Sequence, residues 1–116
     1  MKVLVIFADT SPQAARYATG LRLAQALVRA EATEVQVFLI GCAVECATAR
    51  RVAPAADVDV ARLLVSVISS GSDVRVCSTS LADRAIDTAD LLIGVVSATT
   101  GDLASLALSA DRVLVF

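Results

Sequence analysis

An α/β fold is what this chain predicts: a single three-layer α/β/α domain on a mostly parallel, five-stranded sheet. Three observations carry that expectation. Short runs of Val, Leu and Ile recur along the chain without alternating polar residues, the pattern of strands buried on both faces. Longer stretches of helical period separate those runs, and strands alternating with helices imply crossover connections and a parallel sheet. The length, 116 residues, suits one domain able to bury a core without disulfides or metal.

The first run is "VLVIF", residues 3–7. The loop "ADTSPQ" follows, with Ser11 in place for an N-cap and Pro12 at the first helical position. From Pro12 to Ala30 the period becomes helical. Ala14, Tyr17, Leu21, Ala24 and Val28 form one apolar stripe, and Leu23 and Leu27 form a second ridge suited to a subunit contact. "VQVFLI", residues 35–40, is the second strand. Gly41 ends it and "CAVECATAR" reads as a short helix. "RVAPAAD" is a loop around Pro54, and Asp57 opens the next helix, its charge suited to a helix N-terminus. Ala61, Leu64, Val65 and Ile68 are expected to face inward, with Gly71 as the stop. "DVRV" is the third strand and "LLIGVV", residues 91–96, the fourth. Thr99 and Asp102 have capping-box spacing, and the helix 101–110 presents Leu103, Leu106, Ala107 and Ala110 to the core. "RVLVF" is the last strand.

Composition removes several functions. Aromatics are only 3% while hydrophobic residues reach 57%, so the core is aliphatic and the surplus is expected under neighbouring subunits. A net charge of -2 supplies no footprint for nucleic acid, and no aromatic platform exists for stacking bases. The N-terminal apolar run is interrupted at Asp9 and Pro12, too early to span a membrane, and it lacks a signal-peptide cleavage end. A cytoplasmic protein is therefore expected. There is no histidine, which removes the commonest general base and most zinc and iron sites. The three cysteines, Cys42, Cys46 and Cys77, do not suggest a disulfide framework. Their spacing is not a standard zinc pattern, and neither metal nor organic cofactor is expected. The glycine-free "ADTSPQ" loop argues against a nucleotide site.

In a parallel sheet, ligands sit beyond the C-terminal strand ends. The loops there carry Asp9, Cys42 and Cys77. A nucleophilic cysteine works as its thiolate, and Cys77 stands where strand becomes helix. Helix-start N–H groups, with Ser78, Thr79 and Ser80 as further donors, favour that thiolate. The competing reading makes Cys77 a small buried filler. Arg84 reaches the site only if the loop folds back. Asp9 is expected to cap the following helix rather than to catalyse. Cys46 is expected in the core, while Cys42 is either incidental or a partner for Cys77 that forms a disulfide, as in a redox switch, or accepts sulfur. The basic pair Arg50 and Arg51 is expected on the surface.

Four stretches in order resemble the DsrE/DsrF-like family of sulfur-relay proteins, which includes DsrE, TusD and YchN-like members. They are "MKVLVIFADTSPQAARYATGLRLAQAL", "EVQVFLIGCAVECA", "VRVCSTSLADR" and "GDLASLALSADRVLVF", which together cover nearly the whole chain. The resemblance implies a persulfide on Cys77, sulfur-donor and sulfur-acceptor proteins as partners, and a homotrimer or homohexamer. It departs at Ser80, where YchN-like members often have a second cysteine, at Ala85, where glycine is usual, and at Cys42, where Asp is common. The alternative is an oligomeric binding or scaffold protein with a structural or redox-sensing cysteine.

Overall fold

The computed structural model describes residues 1–48 and 60–116. Five parallel strands form the sheet: β1 (Lys2–Ala8), β2 (Glu34–Ile40), β3 (Asp73–Cys77), β4 (Val95–Ala98) and β5 (Arg112–Val115), in the order β4-β3-β2-β1-β5. The register runs from Lys2↔Glu34 to Ala8↔Ile40 between β1 and β2, and Cys77 of β3 faces Ala98 of β4. The helices are α1 (Ala15–Val28), α2 (Val60–Ser69), α3 (Ser78–Asp83) and α4 (Thr100–Ser109). The segment Gly41–Ala47 is a 3-10 helix, and so is Thr88–Asp90.

Strand alternation divides the core into two clusters. Val3, Val5 and Phe7, with Val37, Leu39, Val74 and Val76, point to one face and pack against α1, α2 and the 3-10 helix 41–47. Leu4, Phe38, Cys77 and Ala98 point to the other and meet Leu106 of α4. Most core side chains are fully buried, and each contributes about 1.5–3 kcal/mol. Phe7 stacks between Tyr17, with ring centroids 4.5 Å apart, and Phe116 at 5.7 Å. Gly20 in α1 makes room for that stack: a Cβ there would lie 2.6 Å from Phe7.

Several sequence expectations change. Helix α1 begins at Ala15 rather than Pro12, because Ser11–Ala14 closes a turn through the Ala14 N–H and Ser11 carbonyl at 2.9 Å. Ser11 Oγ then accepts from Gln13 N–H, not from a helical turn, and α1 has no side-chain cap. In α2 Leu64 is buried and Ala61 and Ile68 pack partly against the core as expected, Val60 and Val67 are buried as well, and Val65 is exposed. The fourth strand begins at Val95, not Leu91. Leu91 instead makes an antiparallel bridge with Thr48, and residues 93–94 form a turn before the strand enters the sheet. The capping box at α4 is present in full: Asp102 N–H donates to Thr99 Oγ1 at 3.1 Å, and Thr99 N–H donates to Asp102 Oδ2 at 2.8 Å. Of the second ridge on α1, Leu23 is exposed and Leu27 packs partly against the core. Pro54, Asp57 and the pair Arg50 and Arg51 lie outside the described residues.

Candidate functional site

The site is built from three consecutive strand ends. Cys77 is the last residue of β3 and the N-cap of α3, with extended backbone at φ -66, ψ 120. Its side chain is only 7% exposed, among Leu4, Phe38, Ala98 and Leu106. Burial pushes the thiol up, and this is the largest single influence. The Ser80 hydroxyl, the Ser80 and Thr79 N–H groups and the Thr79 hydroxyl together outweigh it. The net result is a thiol below its ordinary pKa, because hydrogen bonds to the charged form favour that form. Ser78 opens α3 and is half-buried.

Cys42 sits in the 3-10 helix after β2 and is partly exposed. Its N–H donates to Asp9 Oδ1 at 3.0 Å. The thiol is pushed up, first by burial and then by its hydrogen bond to the Asp9 carboxylate. Asp9 itself is held below the ordinary carboxylate value, chiefly by the Cys42 N–H. The expectation that Asp9 caps the helix following β1 is therefore corrected. Asp9, at φ 54, turns across the sheet edge and caps the 3-10 helix after β2.

Arg84 does fold back. Helix α3 ends at Asp83, and Arg84 lies in the turn that follows. Its guanidinium lies 3.8 Å from Asp9 Oδ1 and 3.7 Å from Glu45 Oε1, and Nη1 donates to the Ser80 carbonyl at 3.5 Å. Ser80, 6% exposed, accepts the Gly41 N–H on its hydroxyl oxygen at 2.9 Å. The structure thus joins Asp9, Cys42 and Arg84 in one cluster and Cys77, Thr79 and Ser80 in another, with Ser80 and Arg84 linking the two. Gly41 and Glu45 are members that sequence reasoning missed. Gly41 carried a signal, a glycine directly at a strand end on the C-terminal edge of the sheet, where parallel sheets bind ligands. Glu45 carried none, because its role depends on where Arg84 ends up. Cys46 is in the core at 1% exposure. Among the described residues, no group of three or more Cys, Asp or Glu side chains is placed to hold a metal ion. No described helix is long and apolar enough to cross a membrane.

The DsrE/DsrF-like family model matches residues 1–116. This chain belongs to the DsrE/DsrF-like family. Among curated proteins it is 33% identical to Protein YchN of Escherichia coli K12 over 118 residues, covering both chains completely. The crystal structure of the E. coli YchN protein is similar at a TM-score of 0.87 and 32% identity, with complete coverage of both chains. Two further structures share the DsrE/DsrF-like fold at low identity. The Methanobacterium thermoautotrophicum protein of unknown function MTH1491 matches at a TM-score of 0.72 and 16% identity, covering 99% of this chain and 97% of that one. The Bacteroides thetaiotaomicron protein of unknown function BT1422 matches at 0.74 and 14%, covering 98% and 94%.

Proposed function

We propose that this chain is a sulfur carrier that holds sulfane sulfur as a persulfide on Cys77. One observation carries the reading: Cys77 ends β3 and N-caps α3 at the C-terminal edge of the sheet, where Ser80 and Thr79 favour its thiolate enough to outweigh burial. The thiolate attacks the outer sulfur of a donor persulfide. A new S–S bond forms on Cys77 as the donor's S–S bond breaks, and the donor departs as a thiolate. An acceptor thiolate then attacks the outer sulfur on Cys77, and the Cys77 thiolate returns. No net oxidant or reductant is consumed. Donor and acceptor are proteins in this reading. The chain works as a homotrimer or homohexamer, a state supported by exposed Leu108, Val113 and Val115 beside the β5 edge.

A second reading is a non-catalytic oligomeric scaffold, and the 7% exposure of Cys77 among apolar side chains favours it. Intact mass measured after incubation with polysulfide separates the two. A carrier gains one sulfur that reductant removes and that Cys77→Ser never acquires. A scaffold gains nothing in the native state, and its Cys77 labels only in denaturant.

A further inference from the structure

Helix α4 covers the face of the sheet on which Cys77 lies. Cys77 belongs to the smaller apolar cluster, and among the described residues every member of that cluster outside the sheet comes from α4 or its C-cap: Leu103, Leu106, Ala107 and Ala110. A thiolate that attacks an S–S bond needs that bond brought up to its sulfur, and a side chain 7% exposed does not offer that approach. The cover itself is lightly held. Leu106 is the one buried side chain of α4, and Thr100, Gly101 and Asp102 in its first turn are exposed. The far end of the helix is tied into the sheet: Asp111 N–H donates to the Lys2 carbonyl at 2.8 Å, and Lys2 N–H donates to Asp111 Oδ2 at 2.7 Å. The near end starts at Thr99, directly after Ala98, which faces Cys77 across β3 and β4. There the Thr99–Asp102 capping box holds a turn that contains Gly101, a poor helix former. A helix fixed at its far end and lightly buried opens by unwinding from the near one.

We propose that the first turn of α4 is a lid over Cys77 and that the Thr99–Asp102 capping box is its latch. Unwinding of that turn lifts Leu103 out of the cluster and opens the way to Cys77 for a donor or an acceptor. Rewinding shuts the bound sulfur away from water and from stray thiols. What the lid does for sulfur rests on the carrier reading; the lid itself does not.

The rate of Cys77 alkylation by dilute iodoacetamide measures the open fraction. It is read on the Cys77 peptide by mass spectrometry, at fixed pH, without denaturant or sulfur donor. Thr99→Ala releases the latch and raises the rate about fivefold. Gly101→Ala tightens it: a Cβ there would meet Thr99 Oγ1 at 3.5 Å, an ordinary contact, and the turn gains a better helix former. The rate then falls about threefold. Tyr17→Phe, which loses a buried hydrogen bond in the opposite layer, leaves the rate unchanged. Equal rates in Thr99→Ala, Gly101→Ala and wild type mean that Cys77 is reached without opening, and they overturn the lid. Equal acceleration by Thr99→Ala and Tyr17→Phe means that only global unfolding exposes Cys77, and it overturns the lid as well. With polysulfide in place of iodoacetamide, sulfur uptake keeps the same order of variants. A set of proteins that follows the alkylation order yet takes up no sulfur overturns the carrier reading and supports the lid.

Discussion

Replacing Gly41 by alanine tests the site's geometry. Gly41 has φ +66, and a Cβ there would meet the Asp9 carboxylate oxygen and lie 2.9 Å from the Asp9 Cα. The carboxylate can swing away; a backbone Cα cannot. Gly71 is the internal control. It has φ +92, and a Cβ there would meet nothing within 4 Å, so Gly71→Ala isolates the cost of the left-handed backbone. That cost is about 1 kcal/mol. Overlap with fixed backbone adds about 2 kcal/mol at Gly41, giving about 3 kcal/mol in total. For a domain of this size each kcal/mol lowers Tm by about 4 °C. Gly41→Ala is therefore expected to unfold about 12 °C below wild type and Gly71→Ala about 4 °C below. Calorimetry at fixed pH and scan rate measures both. If Gly41→Ala costs no more than Gly71→Ala, the close approach of the β1 and β2 ends at Asp9 is wrong, and so is the account of how Gly41 N–H and Asp9 organise the site.

Tyr17→Phe removes the hydroxyl that donates to the Ala43 carbonyl at 2.9 Å in a buried setting. The orphaned carbonyl costs about 1–2 kcal/mol, visible as a lower urea midpoint at unchanged slope. Thr99→Ala deletes the α4 cap at a cost of about 1 kcal/mol. In the same box Asp102 has a lowered pKa, chiefly from the Thr99 N–H. Its stabilisation is therefore present above the ordinary carboxylate pKa and lost as pH falls through the depressed value. Acid titration of Tm should show a shallower acid limb in Asp102→Asn than in wild type.

The strands that sequence reasoning located best are those buried on both faces. Residues 3–7 are a continuous apolar run, and residues 35–40 are broken only by Gln36, because helices cover both sides. Leu91 and Leu92 mimic that pattern in part. Both are apolar because they pack as a loop against the larger cluster, and only Gly94, at φ +96, marks where the strand can begin. Ser11 and Pro12 looked like a helix start because their local chemistry suits one; a tight turn uses the same residues. The place of Cys77 between strand and helix was legible, as was the Ser/Thr run that opens the helix after it. What no local pattern carries is contact between strand ends. Asp9 meeting Cys42, Gly41 meeting Ser80 and Arg84 meeting Glu45 all depend on register across the sheet.

The strand order has a consequence for how the chain assembles. Strand β1 lies beside β5 in the sheet, yet the two are far apart in the sequence. The Lys2 N–H bond to Asp111 spans 109 residues. Closing so long a loop before its contacts form costs entropy, and such pairings come late. Until they form, β1 has an open hydrogen-bonding edge, and Leu4 lacks its cover from α4. Docking of α4 and β5 thus closes that edge, and α4 is also the wall behind Cys77, so the interval before they dock is when this chain is most exposed to pairing with another.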